Sequence, residues 1–220
     1  MDISKYVDIN HTISKEMFEE CDDFIKIIPK IRDWVIKIGS KLDSDEYEKI
    51  GYDIWISRDA YVDESAKIIG PCIIDKKAEI RHCAYIRGSV IVGRNCVIGN
   101  SCEIKNSIIF DNCQIPHFNY LGDSIMGYHS HMGAGVVAAN IKSDRSNIVI
   151  SNGNEKIETS LRKMGSIIGD YVEIGCNSTL FPGTIIGSNV TIYPLTRVRG
   201  VILENCIVKS SSEIVRKEVR

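Results

Sequence analysis

The residues most able to do chemistry cluster mid-chain, in the run Pro116-His117-Phe118-Asn119-Tyr120-Leu121-Gly122-Asp123-Ser124, followed by Gly133-Ala134-Gly135 and Ala138-Ala139-Asn140. His117 brings an imidazole, the side-chain type that takes and returns protons near neutral pH. Tyr120 and Asn140 bring hydrogen-bonding groups suited to a polar ligand. Two cations, Arg87 and Lys105, stand eighteen residues apart. If three six-residue units make one turn of the chain, that separation stacks them as a paired anion site, the first as a fork and the second as a point charge.

The element that must position them is a six-residue repeat. Ile56, Val62, Ile68, Ile74, Ile80, Ile86, Val92, Ile98 and Ile104 form one column, which resumes after a five-residue step at Ile109, Ile115 and Leu121. A second five-residue step leads to Met126, Met132 and Ala138, and the rhythm returns at Ile168, Ile174, Leu180, Ile186, Ile192 and Val198. Neither a helical period nor strand alternation produces this spacing. Four residues after each column residue stands a smaller one, including Ala60, Ala66, Cys72, Ala78, Ala84, Cys96, Cys102 and Cys113. One large and one small inward position per unit fill a narrow, close-packed prism. Glycine often follows the column residue, as at Gly93, Gly99, Gly122, Gly169, Gly175 and Gly187, which suits tight corners. The fold class predicted is an all-β solenoid, a left-handed parallel β-helix, over residues 53–208, with a polar excursion at 141–166 that carries its own strand-like piece NIVIS.

Residues 1–52 read differently. Met17, Phe18, Cys21, Phe24, Ile25, Ile28, Ile31, Val35, Ile38 and Leu42 recur at three and four, the spacing of a helical face, with Ser14 as a candidate N-cap and Pro29 splitting the segment. We expect a helical cap over the open end of the solenoid. The charged tail, 209–220, is expected to form a short helix. With 44% hydrophobic and 25% charged residues, the composition is that of an ordinary globular protein. The formal charge of −2 and the lack of a basic run argue against nucleic acid or an anionic membrane as partner. The N-terminal stretch has no apolar signal core, so the expected location is cytoplasmic. Of the eight cysteines, those at 72, 96, 102 and 113 fall on inward positions and read as compact core hydrophobes.

The chemical residues carried on this repeat resemble those of the acetyltransferase domain of the bifunctional N-acetylglucosamine-1-phosphate uridyltransferases. The correspondence runs from about Ile56 to Arg199; the spacing of Arg87, Lys105, His117, Tyr120 and Asn140 matches without a gap, and LRKMGSIIGDYVEIGCN is similar to the segment after that family's long loop. The resemblance implies transfer of acetyl from acetyl-CoA to the amine of an amino sugar 1-phosphate, glucosamine 1-phosphate first, within a homotrimer and with no metal. It casts His117 as general base and Arg87 and Lys105 as phosphate holders. Tyr120, Asn140 and His131 become sugar contacts, and Ala134, Cys176 and Pro194 line the CoA pocket. Backbone N–H groups around Gly133-Ala134-Gly135 are candidates to hold the thioester oxyanion. The family's nucleotidyltransferase domain has no counterpart in residues 1–52, so the resemblance implies a free-standing acetyltransferase; whether a separate nucleotidyltransferase works beside it stays open in the sequence.

Two positions depart from the pattern: His131 stands where bacterial members have asparagine, and Ser146 where they have lysine, with Lys142, Arg145 or Lys163 as possible replacements. Two other readings compete. A β-helical carbonic anhydrase would bind zinc through three histidines, and His82 and His117 invite that comparison, but position 122 is glycine where the third ligand should stand. A non-catalytic scaffold or regulatory subunit would keep the aliphatic column and lose the polar set.

Overall fold

The structure is a computed structural model and describes residues 2–21 and 23–218; Met1, Asp22, Val219 and Arg220 lie outside the described residues. Residues 54–140 and 166–210 wind as a left-handed parallel β-helix of triangular section, whose three faces are ladders of very short strands. One face holds Ile54–Ser57, Cys72–Ile74, Val90–Val92, Ser166–Ile168 and Thr184–Ile186, and the rear halves of Glu103–Ile109 and Tyr120–Met126. A second holds Glu79–Ile80, Val97–Asn100, Gln114–His117 and His131–Met132. The third holds Tyr85–Ile86, the front halves of the two long strands, Val137–Ala138 and Thr179–Leu180.

The aliphatic column and its smaller companions point inward. Ile74, Ile80, Ile86, Ile98, Ile104, Ile115 and Leu121 belong to one fully buried cluster together with Cys72, Ala78, Ala84, Cys96, Cys102 and Cys113. The buried thiols bond to corner carbonyls of the neighbouring coil, Cys96 Sγ to Phe110 O at 2.9 Å and Cys113 Sγ to Gly127 O at 2.9 Å. Burial pushes the Cys72 and Cys96 thiols well above the ordinary range, which keeps them protonated and inert.

The glycines that follow the column serve close approach and not an unusual backbone angle. A Cβ on Gly99 would lie 1.6 Å from the Pro116 carbonyl oxygen of the next coil. The left-handed positions are taken instead by Lys77, Ser89, Asn95, Asn106, Asn112 and Asp123, among others.

The five-residue steps have a direct counterpart. Upper coils are offset by eighteen residues, as in Cys72 against Val90, but Ile91 pairs Ile108 and Ile108 pairs Ile125, an offset of seventeen. One residue is lost at the corner between the third face and the first, where Asn106 and Asp123 adopt φ of +45° and +50°.

The N-terminal segment is helical as its spacing predicts, in α1 (Lys15–Glu20), α2 (Phe24–Ile27) and α3 (Ile31–Gly39), with Pro29 in a short 3-10 turn between the last two. Ser14 stands at the N-cap of α1 without a side-chain capping bond. Its location differs from expectation. The helices lie along the first face and bury Met17, Phe18, Phe24, Ile28, Ile31 and Val35 against Trp55, Ile73, Ile91, Ile108, Ile125, Ile167 and Ile185. Those isoleucines point outward from the prism, so the face would expose a continuous apolar wall without its cover. Gly39 lets the end of α3 meet Trp55, whose ring would lie 2.3 Å from an added Cβ. The seam is closed by Asp8 N donating to Asp170 Oδ2 at 2.7 Å and Ser188 Oγ donating to Tyr6 O at 2.7 Å.

The ends of the solenoid are closed by reversed strands instead. Tyr47–Ile50 pairs antiparallel with Ile54–Ser57, and Glu213–Arg216 pairs antiparallel with Cys206–Ser210. Among the described residues of the tail, Glu213–Arg216 is therefore a strand and not a helix, with Val219 and Arg220 outside them; Ile207 and Val208 on the last coil give it an extended partner. Within the excursion, Val149–Asn152 and Glu155–Glu158 form a hairpin. Among the described residues no helix is long and apolar enough to cross a membrane.

Candidate active site

The parallel ladder decides which chemical residues meet. Tyr85 pairs Glu103, Ile86 pairs Ile104, and Arg87 N donates to Ile104 O at 2.8 Å, so Arg87 stands over Lys105. Lys105 pairs Gly122, and Leu121 pairs Ala138, which brings Asn140 beneath. Arg87, Lys105, Gly122-Asp123 and Ala139-Asn140 thus stack down the corner between the third face and the helix-covered one. Tyr120 lies on the third face just ahead of it. A Cβ on Gly122 would fall 2.5 Å from Tyr120 Oη and 2.9 Å from Asn140 Nδ2, so the two side chains close over the glycine.

Neither cation stands free. Arg87 Nη1 lies 2.5 Å from Glu103 Oε1, with side chains 42% and 35% exposed. Lys105 Nζ donates to Asp123 Oδ2 at 3.1 Å, with side chains 24% and 7% exposed. The four groups sum to no net charge. An exposed pair such as the first opens readily to a competing anion, whereas the second is held by burial.

Asp123 is the hub of this corner. Its Oδ1 accepts from Asn106 Nδ2 at 2.8 Å, and its Oδ2 accepts from Lys105 and from Asn140 Nδ2. Asn106 Nδ2 also reaches Ile28 O at 3.3 Å, joining the helical layer to the corner. The Tyr120 hydroxyl is held above its ordinary pKa by burial first and then by the Asp123 and Glu103 carboxylates; Arg87 and the Asn140 amide oppose them.

His117 occupies the opposite corner of the same face, between the second face and the third. Its imidazole is exposed, its backbone N–H is fixed by Asn119 Oδ1 at 3.0 Å, and Phe118, 62% exposed, turns the corner at φ +50°. Down that corner the coils repeat: Gly135 N donates to His117 O at 3.0 Å, Asn177 N to Ala134 O at 2.8 Å, and Leu195 N to Cys176 O at 2.9 Å. His117, Ala134, Cys176 and Pro194 therefore line one edge. The N–H groups of Gly133 and Gly135 are engaged with Ile174 O and His117 O, which among the described residues leaves only that of Ala134 unbonded in the Gly133-Ala134-Gly135 turn.

His117 and Gly122 are five residues apart, at most about 17 Å even for a fully extended chain, so the two corners bound one narrow face. His131 is not brought to it. It lies on the second face in register with Gln114, its Nδ1 2.9 Å from Glu173 Oε2. Below Asn140, a cavity of about 400 Å³ opens between the excursion and the third face, lined by Ala139, Ile141, Lys142, Phe181, Pro182 and Arg199. Of the three cations proposed to replace the family lysine, Lys142 alone lines this cavity, and its Nζ contacts Ser146 Oγ at 2.5 Å. Among the described residues no group of three His, Cys, Asp or Glu stands together to hold a metal.

Sequence reasoning missed Asp123, Asn106 and Glu103 as members of the site. The readable signal was the pair of five-residue steps: Asn106 and Asp123 are the residues that turn the two shortened corners.

The chain has relatives among known proteins. The family model described as the GMPPB C-terminal domain matches residues 68–214. The bifunctional protein GlmU of Methanococcus maripaludis strain C5 is 35% identical over 130 residues, 59% of this chain and 29% of that protein. A bifunctional sugar-1-phosphate nucleotidylyltransferase/acetyltransferase of Sulfurisphaera tokodaii is 36% identical over 152 residues, 60% of this chain and 38% of that protein. The chain thus spans about a third of the length of these curated relatives. Among solved structures, a hexapeptide transferase family protein from Anaplasma phagocytophilum aligns at a TM-score of 0.38 and 12% identity, covering 76% of this chain and 80% of that one.

Proposed function

Because the chain belongs to the family of the GMPPB C-terminal domain and is 35% identical over 130 residues to a GlmU protein, we propose that it is an acetyl-CoA-dependent N-acetyltransferase acting on an amino sugar 1-phosphate, glucosamine 1-phosphate first. The observation that carries the reading is the pair of corners bounding one face: an exposed imidazole on one, a prearranged set of polar side chains on the other.

In this reading the sugar phosphate displaces Glu103 from Arg87, whose fork matches a phosphate edge. Asn140 and Tyr120 orient the sugar. Acetyl-CoA lies along the Ala134, Cys176 and Pro194 edge. His117 takes the proton from the attacking amine; the amine nitrogen bonds to the thioester carbon, the carbon–sulfur bond breaks, and the thiolate leaves with a proton. The Ala134 N–H supports the oxyanion, a contribution of about 3 kcal/mol when such a donor is well placed. The helical layer occupies one face, so copies in a homotrimer meet through the other two. A separate nucleotidyltransferase consumes the product.

The test is thiol release from acetyl-CoA in the presence of glucosamine 1-phosphate, galactosamine 1-phosphate and unphosphorylated glucosamine. Release with an amino sugar phosphate and none with the free sugar supports the reading. No release with any of them overturns it in favour of a scaffold.

A further inference from the structure

We propose that Asp123 is a positioning residue for the amino sugar site, acting through Asn140; the inference rests on the acetyltransferase reading above. Asp123 is 5% exposed and turns a shortened corner at φ +50°, a conformation that aspartate tolerates better than most residues. A carboxylate accepts and never donates, so a single group can satisfy three donors at once, here Lys105 Nζ, Asn106 Nδ2 and Asn140 Nδ2.

The bond to Asn140 has a directional consequence. With Nδ2 turned to Asp123 and lying against Tyr120 Oη over Gly122, the opposite end of the amide, Oδ1, is committed to the other side. Asn140 Oδ1 has no protein partner among the described residues, yet the only buried side-chain oxygens or nitrogens left without one there are Asp75 Oδ2 and Ser166 Oγ. Asn140 Oδ1 is therefore open to a ligand as an acceptor. Asp123 thereby sets Asn140 to receive a hydrogen from a substrate N–H or O–H, and blocks the flipped amide, which would present two hydrogens and repel an amine cation. The backbone holds the same residues in place, since Met164 N donates to Asn140 O at 3.0 Å and Gly165 N to Asp123 O at 2.9 Å where the excursion rejoins the coil.

The test is Asp123→Asn, which keeps the shape but leaves one oxygen for three donors, measured with acetyl-CoA and the amino sugar phosphate that the parent acetylates. The expected result is a rise of about tenfold or more in KM for the amino sugar with the KM for acetyl-CoA unchanged, the size of one lost buried hydrogen bond. A double-mutant cycle with Asn140→Ala separates positioning from general damage: the double variant should be no worse than Asn140→Ala alone. If Asp123→Asn leaves the amino sugar KM within about twofold of the parent, or if the two effects multiply, the positioning role is wrong while the acetyltransferase reading stands. If the parent releases no thiol with any amino sugar phosphate, both fall together.

Discussion

Lys105 Nζ sits 3.1 Å from Asp123 Oδ2 on the next coil, and the aspartate is the more deeply buried partner, 7% exposed against 24%. The pair is asymmetric in consequence. Removing the lysine strands a charge that water can barely reach, whereas removing the aspartate leaves a cation on a long stem that can turn outward. Lys105→Ala is expected to lower unfolding free energy by about 1–3 kcal/mol, and Lys105→Ala with Asp123→Asn to be no less stable than the single variant, as read from denaturant midpoints.

As the proposed general base, His117 should bear on rate alone. Its side chain is exposed, so His117→Ala should leave the melting temperature unchanged while kcat falls by about a hundred- to ten-thousandfold, the range for loss of a general base. An active alanine variant would move the base elsewhere.

In the proposed reading, Glu103 competes with substrate phosphate for Arg87. Both side chains are more than a third exposed, so their pair is worth at most about 1 kcal/mol, or about fivefold in affinity. Glu103→Gln is expected to lower the KM for the amino sugar phosphate by up to about that factor, most clearly at low salt. A rise would show that Glu103 itself contacts the substrate.

Ile108 measures the grip of the helical layer. It is fully buried yet points away from the prism interior, so Ile108→Ala should cost about 2–5 kcal/mol by opening a void between α3 and the first face. A loss below about 1 kcal/mol would mean that the helices hold the face only loosely.

The six-residue column was legible because each inward isoleucine recurs with little noise, and it leads directly to the coil. The docking of the helices was not. Ile73, Ile91, Ile108, Ile125, Ile167 and Ile185 are as regular as the column, but they sit inside apolar runs such as Cys72-Ile73-Ile74 and Val90-Ile91-Val92, where an outward residue looks like one more core residue. Their common face appears only once the coil length is known. The same holds for the site. Arg87, Lys105, Tyr120 and Asn140 were readable as polar interruptions, and register stacks Arg87, Lys105 and Asn140 down one corner with Tyr120 just ahead of it. His131 follows the second-face register to Glu173 instead. Asp123 was hidden in plain view, since its importance comes from a missing residue in the corner and not from its own type.

The reversed strands at either end limit what the molecule can build. A parallel ladder propagates only when the incoming strand runs the same way, so Tyr47–Ile50 above Ile54–Ser57 and Glu213–Arg216 below Cys206–Ser210 break the template on one face at each end. The remaining rims are strands of two residues, too short to seed much pairing. Lengthwise polymerisation into a fibre is thereby opposed by the wiring of the chain itself.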